Sequence, residues 1–141
     1  MRPAHVLGQL WMAPMTAFGL CQTLLGASFH SRTREGVLNF VVRPRTFLHW
    51  YMRTIGIAAY TLGAVVTYAD PAGPGQPRLY RHEYEHVLQT MALGPLMPIA
   101  YAGSSLWQLV RGRRIYRDNW FEVRARAAET KPLPGVPPAG R

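Results

Sequence analysis

From Arg78 to Leu93 the chain runs sixteen residues without a proline or a glycine, closed by Pro77 in front and Gly94-Pro95 behind. Tyr80, Tyr84, Val87 and Met91 recur there at helical spacing, which predicts a helix with a core-facing apolar stripe. Glycine suits the left-handed residue that follows a helix, and proline cannot continue its hydrogen-bond ladder, so the helix must end at Gly94-Pro95. A second stripe carries His82, Glu83 and His86, joined one turn later by Gln89 or Thr90. The run His82-Glu83-Tyr84-Glu85-His86 therefore sits on a polar edge turned away from the apolar row.

Four residues apart on a helix, two imidazoles face the same way and can grip one metal ion. The glutamate directly after the first can then reach a water held on that metal. A hydrolytic zinc site takes three protein ligands and keeps a fourth position for water. His82 and His86 supply two, with Glu83 as the general base. Cys21 is the only cysteine, so neither a disulfide framework nor a cysteine cage is available, and the third ligand must be a histidine or a carboxylate.

Glu122 is the best third ligand. It opens the last predicted helix, Trp120 to about Glu129, and is followed three positions later by the small Ala125, which lets two helices approach closely. Its other reading is a capping box, in which Glu122 holds the backbone amide of Asn119. Asp70, Asp118 and Glu129 are the competing carboxylates, while Glu85 lies off the ligand stripe and is expected solvated or paired with an arginine. Tyr101 and Tyr116 are candidate donors to an oxyanion, and Arg124 or Arg126 candidate holders of a substrate carboxylate. Cys21 has no partner in a motif and is expected to be a small buried residue.

At 141 residues the chain is about one domain, large enough for a core of its own. Residues 1–30 form an apolar N-terminal region. Leu7 to Phe29 is long enough to span a bilayer, but two glutamines, Pro14 and three glycines weaken it, so a helix pair broken at Pro14 is the alternative to a span. Residues 31–129 form the metal-binding domain. Here His30 to Gly36 reads as a polar connection, residues 37–42 as a strand, Phe47 to Met52 as ambiguous, and Ile55 to Tyr68 as one bent strand or two short ones. Asp70 to Pro77 is a turn-forming linker, and Met97 to Val110 is a further helix, too short to cross a membrane alone. Residues 130–141 are a proline-rich tail with the composition of disorder.

Sixteen basic against seven acidic residues give a formal charge of +9, almost all of it arginine. Such a surface favours acidic partners. No zinc-finger, RNA-recognition or phosphate-cradle pattern accompanies the arginines, so no nucleic-acid partner is expected. An anionic membrane surface suits arginines set beside apolar stretches, which makes the expected location membrane-associated or cytoplasmic.

His82-Glu83-x-x-His86 with Glu122-x-x-Ala125 resembles the glutamate-zincin (gluzincin-like) metallopeptidases. The wider run from Arg81 to Gln89, then Leu93-Gly94-Pro95-Leu96, Pro98, Tyr101 and Tyr116 to Glu122, with Thr61-Leu62-Gly63 upstream, is similar to a family of small bacterial proteins without an assigned function. The resemblance implies an α+β fold: a helix-rich zincin-like core, a short β-sheet or hairpin with its edge strand in Ile55 to Tyr68, the motif helix and a third-ligand helix. It implies Zn2+ on His82, His86 and Glu122, Glu83 as base, and a peptide or protein substrate. The alternative is a membrane-associated interaction protein whose metal site is structural or inactive.

Overall fold

The computed structural model describes residues 3–132. The fold is α+β, with helices packed on both faces of a four-stranded mixed sheet. The proline-rich segment falls from residue 133 onward outside the described residues.

The apolar start is not one helix. Helix α1 (Pro3–Trp11) stops at Met12, and α2 (Ala13–Leu20) begins with Pro14 in its first turn, where a missing N–H costs nothing. Met12 is fully buried against Val37, Tyr68, Tyr84 and Val87, so the break drives a side chain into the core. A 3-10 turn (Cys21–Leu25) follows, and Cys21 is exposed on it, contrary to the expectation of a buried thiol. Among the described residues no helix is long and apolar enough to cross a membrane.

Strand β1 (Ala27–Arg32) occupies part of what reads as a connection. Its polar residues lie on an edge strand, where one side needs no apolar partner, so the composition hides it. It pairs antiparallel with β2 (Leu38–Val42). The ambiguous aromatic segment is helix α3 (Phe47–Ile55), capped by the Thr46 hydroxyl and buried through Leu48 and Met52. The region up to Tyr68 is two short strands, β3 (Ala59–Leu62) and β4 (Val65–Tyr68).

The sheet order is β1-β2-β4-β3, with β2 and β4 parallel and the other pairs antiparallel. Strand β4 is buried along its whole length, and its alternate side chains feed two cores. Val66 and Tyr68 meet Met12, Tyr84 and Val87 on one face, while Val65 meets Phe40, Leu48 and Met52 on the other. Helix α4 (Pro77–Leu93) lies over the first face. A 3-10 turn at Gly94–Leu96 leads into α5 (Met97–Val110), and α6 (Trp120–Ala128) packs across α4.

Strand β3 is left as the outer strand beside α4, so the geometry of its turn decides what faces the motif helix. Leu62 pairs with Val65 across two residues, and Gly63 takes a φ of 64°, the pattern of a hairpin turn with glycine in its first loop position. A Cβ on Gly63 would lie 2.3 Å from the Thr16 backbone nitrogen of α2. Gly63→Ala is therefore expected to lower stability by about 1–3 kcal/mol, from backbone strain and from the clash. Chemical denaturation measures this, and a variant as stable as the parent would mean that the turn is not held in this conformation.

Candidate metal centre

His82 and His86 project from the second and third turns of α4, and their ring centroids lie 5.1 Å apart. Both point Nε2 at the same carboxylate. His82 Nε2 is 3.3 Å from one oxygen of Glu122, and His86 Nε2 is 3.3 Å from the other. One ligand atom from each of the three residues falls within 4.8 Å of the others, a grouping that could hold a metal ion. Asp70 and Asp118 are not part of it: Asp70 accepts the Ala72 amide in a turn, and Asp118 accepts the amide of Arg114.

The approach of α6 to α4 sets this geometry. Ala125 is fully buried at the crossing, and Gln89 of α4 donates to the Phe121 carbonyl of α6 at 3.1 Å. Asn119 caps α6 by accepting from the Phe121 amide, and its own amide group donates to the Tyr101 carbonyl and the Ser105 hydroxyl of α5. The backbone N–H of Asn119 goes to the Tyr116 carbonyl. The capping-box alternative for Glu122 is thus excluded, and its carboxylate is free to turn inward.

A second layer fixes the rings. The Gln89 amide nitrogen is spent on Phe121, so the amide oxygen, 2.8 Å from His86 Nδ1, must accept a proton from the ring. Glu129 accepts from His82 Nδ1 at 3.1 Å and is itself held by Arg78 at 2.9 Å. Each neutral imidazole then carries its hydrogen on Nδ1 and aims the Nε2 lone pair at Glu122, the orientation that metal-ligating histidines take. Two lone pairs and a carboxylate thus converge on one point. The Glu122 oxygen that faces His82 Nε2 is buried and has no hydrogen-bond partner while that imidazole is neutral, an atom that a cation could satisfy. The residues present fit such an ion.

The ionisation behaviour reflects the same demand for positive charge. Burial works against charged His82 and His86, yet the Glu122 and Glu83 carboxylates outweigh it and both imidazole pKa values are raised. Burial also opposes the charge on Glu122, but the two histidines and the Tyr101 hydroxyl, which donates at 2.8 Å, hold it well below the usual carboxylate range. Glu83 is 3 % exposed, and burial pushes its pKa up despite the nearby histidines and a 2.7 Å hydrogen bond from Thr61.

The three ligand candidates and Glu83 line one cavity of about 1470 Å³, walled by β3, the end of α3, α5 and Met15 of α2. Tyr116 and Arg126 line it too. Arg124 does not: it stacks on Trp120 and faces Glu85, which is buried and lines a separate small pocket. Arg124 is thus no substrate holder for this cleft. Tyr101 serves the Glu122 carboxylate instead of standing free as a donor. Sequence reasoning missed the pairing of Thr61 with Glu83 and of Glu129 with His82. Only Gln89 had a local signal, three residues after His86 on the same helix face. No protein-family model, curated protein or solved structure matches the chain.

The raised histidine values fix the sign of a pH effect. In the metal-free fold the imidazolium–Glu122 pairing stabilises fully below the ordinary imidazole pKa and is lost as pH rises through the raised values. A metal ion needs the same nitrogens unprotonated, so its binding strengthens over that window. The thermal stabilisation by added metal is therefore expected to grow as pH rises above the ordinary imidazole pKa of about 6.5 and through the raised values, while these residues contribute less to the metal-free protein. Scanning calorimetry with and without metal measures both, and a gain independent of pH would rule out histidine ligation.

Proposed function

We propose that the chain is a zinc-dependent hydrolase of the glutamate-zincin kind, most plainly a peptidase, with His82, His86 and Glu122 as the metal ligands. The convergence of those three ligand atoms on the floor of a cleft, beside a buried glutamate, carries the reading. Two imidazoles and one carboxylate suit zinc, and three protein ligands are the catalytic number, whereas structural zinc sites close with four. Bound zinc supplies Lewis acidity, polarising a carbonyl and making a water acidic near neutral pH.

The chain's own groups divide the remaining work. Glu83 takes a proton from the attacking water and returns it to the departing amine, and its raised pKa brings it closer to the balance that both transfers need. Thr61 fixes that carboxylate by hydrogen bonding, and Tyr101 does the same for Glu122. Tyr116 lines the cleft, and as a phenol it keeps its proton at neutral pH and can donate to an oxygen that gains charge. Strand β3 has one unpaired edge and lines the cleft, which suits an extended peptide adding to the sheet.

Purified protein is expected to hold one zinc per chain by elemental analysis, with the metal lost in His82→Ala and in Glu122→Ala. Glu83→Gln is expected to keep the zinc and to lower peptide hydrolysis by about 10²–10⁴-fold, the usual contribution of a general base. A native chain that takes up no zinc sinks the reading. Full hydrolysis after Glu83→Gln would leave the metal site standing and remove the assigned base. A second substitution probes the helix crossing: Ala125→Leu overpacks it, at a cost of about 1–3 kcal/mol, and is expected to weaken zinc binding while leaving the ligands untouched. Equal zinc affinity in that variant would show that the crossing does not control ligand spacing.

A further inference from the structure

The cleft opens among apolar residues that nothing among the described residues covers. Ile55, Ile115 and Tyr116 both line the cavity and stand 47 %, 53 % and 60 % exposed. The elements that wall the cleft carry the same character outward: Phe18 on α2, Trp50 on α3, and Ile99, Leu106 and Trp107 on α5 are all exposed. None of these five lines the cavity itself, but with the exposed rim residues they concentrate apolar surface on the elements that wall one cleft, and exposed apolar surface in such quantity marks a site for a partner or a membrane.

Charge selects between them. Three of the seven acidic residues are buried, so the surface is more basic than the formal charge of +9 states. Arginines lie on the same elements: Arg53 is in the last turn of α3, and Arg111, Arg113, Arg114 and Arg117 follow α5, all exposed, with Asp118 the one acidic residue in that stretch. Arg111 stacks over the Trp107 ring at 5.3 Å, which places cation and indole together. Aromatic and aliphatic side chains next to arginines match the acyl boundary and the phosphate layer of a bilayer. Nucleic acid would use the arginines but not Ile99 or Leu106. A spanning arrangement is not offered by these short helices, so the match is to a protein that lies on a membrane.

We propose that the rim of the cleft docks on an anionic lipid bilayer through α5, the loop after it and the end of α3. The cleft would then take its substrate from peptide segments at the bilayer surface. The substrate class rests on the hydrolase reading, whereas the docking stands without it.

Co-sedimentation of the full chain with phosphatidylcholine vesicles, with and without about 30 % phosphatidylserine, tests the docking. Binding to the anionic vesicles alone is expected, weakened several-fold at about 0.5 M salt, where charges are screened over a few ångströms. Ile99→Ser with Trp107→Ser is expected to weaken it roughly tenfold or more. Arg111→Glu with Arg113→Glu is expected to do the same through charge. Both pairs lie outside the ligand cluster, so zinc content should not change. No sedimentation with either vesicle overturns the proposal. So does a stable dimer in solution that the Ile99/Trp107 pair dissociates, which would make the occupant a second copy, and so does tighter binding to duplex DNA than to vesicles. Glu83→Gln and His82→Ala should sediment like the parent: zinc retained with docking absent overturns only the docking, and docking retained with zinc absent overturns only the metal reading.

Discussion

The Glu122 carboxylate, buried between two imidazoles, is the interaction on which the arrangement of helices depends. An ionised carboxylate at 3 % exposure is costly unless positive charge or hydrogen bonds meet it. His82 and His86 face its two oxygens and Tyr101 donates to one of them, which draws α4, α5 and α6 to a common point. The protein can satisfy that point with protons on the imidazoles or with a metal ion. The first option accords with the carboxylates of Glu122 and Glu83 raising both histidine pKa values against burial. The second would leave the histidines neutral in the tautomer that Gln89 and Glu129 already favour.

The polar network around this point is nearly complete. Gln89 joins His86 to the α6 backbone, Asn119 joins α6 to α5, and Glu129 joins His82 to Arg78. Buried polar groups that are fully partnered specify one packing, whereas a single missing partner is expensive. The unpartnered Glu122 oxygen at its centre is therefore informative. It stands between two imidazoles whose Nε2 atoms face its carboxylate, a grouping that could hold a metal ion.

Much of this was legible in the sequence because it is written in helical spacing. The Pro77 and Gly94 boundaries follow from proline and glycine chemistry, and the stripe of Tyr84 and Val87 and the pairing of His82 with His86 follow from a period of 3.6 residues. Glu122 was nameable since few carboxylates were available and Ala125 stood one turn on. Residues whose roles come from other elements were not legible. Thr61 acts on Glu83 across twenty-two positions, and nothing local marks it. Strand β1 hid behind edge-strand polarity, and α3 behind aromatic residues that suit strand or helix alike. Cys21 looked buried by residue type, but it falls on a short turn whose outer side is open.

The apolar N-terminal region shows how a membrane-like composition can serve a site instead. The break before Pro14 turns α2 so that the Thr16 hydroxyl accepts the Ala64 amide at 2.9 Å, and Gly19 lets the helix approach β3 so closely that a Cβ would meet the Leu62 carbonyl at 2.6 Å. Those two contacts hold both sides of the β3–β4 turn. The register of β3 then follows from the turn, since Leu62 must face Val65 and Thr61 must face Val66. A slip of one residue would send the Thr61 hydroxyl to the opposite face of the sheet and strip Glu83 of its hydrogen bond. The orientation of the glutamate beside the metal ligands thus depends on a helix more than forty residues earlier in the chain, which is why α2 has to stop and turn where a membrane span would run on.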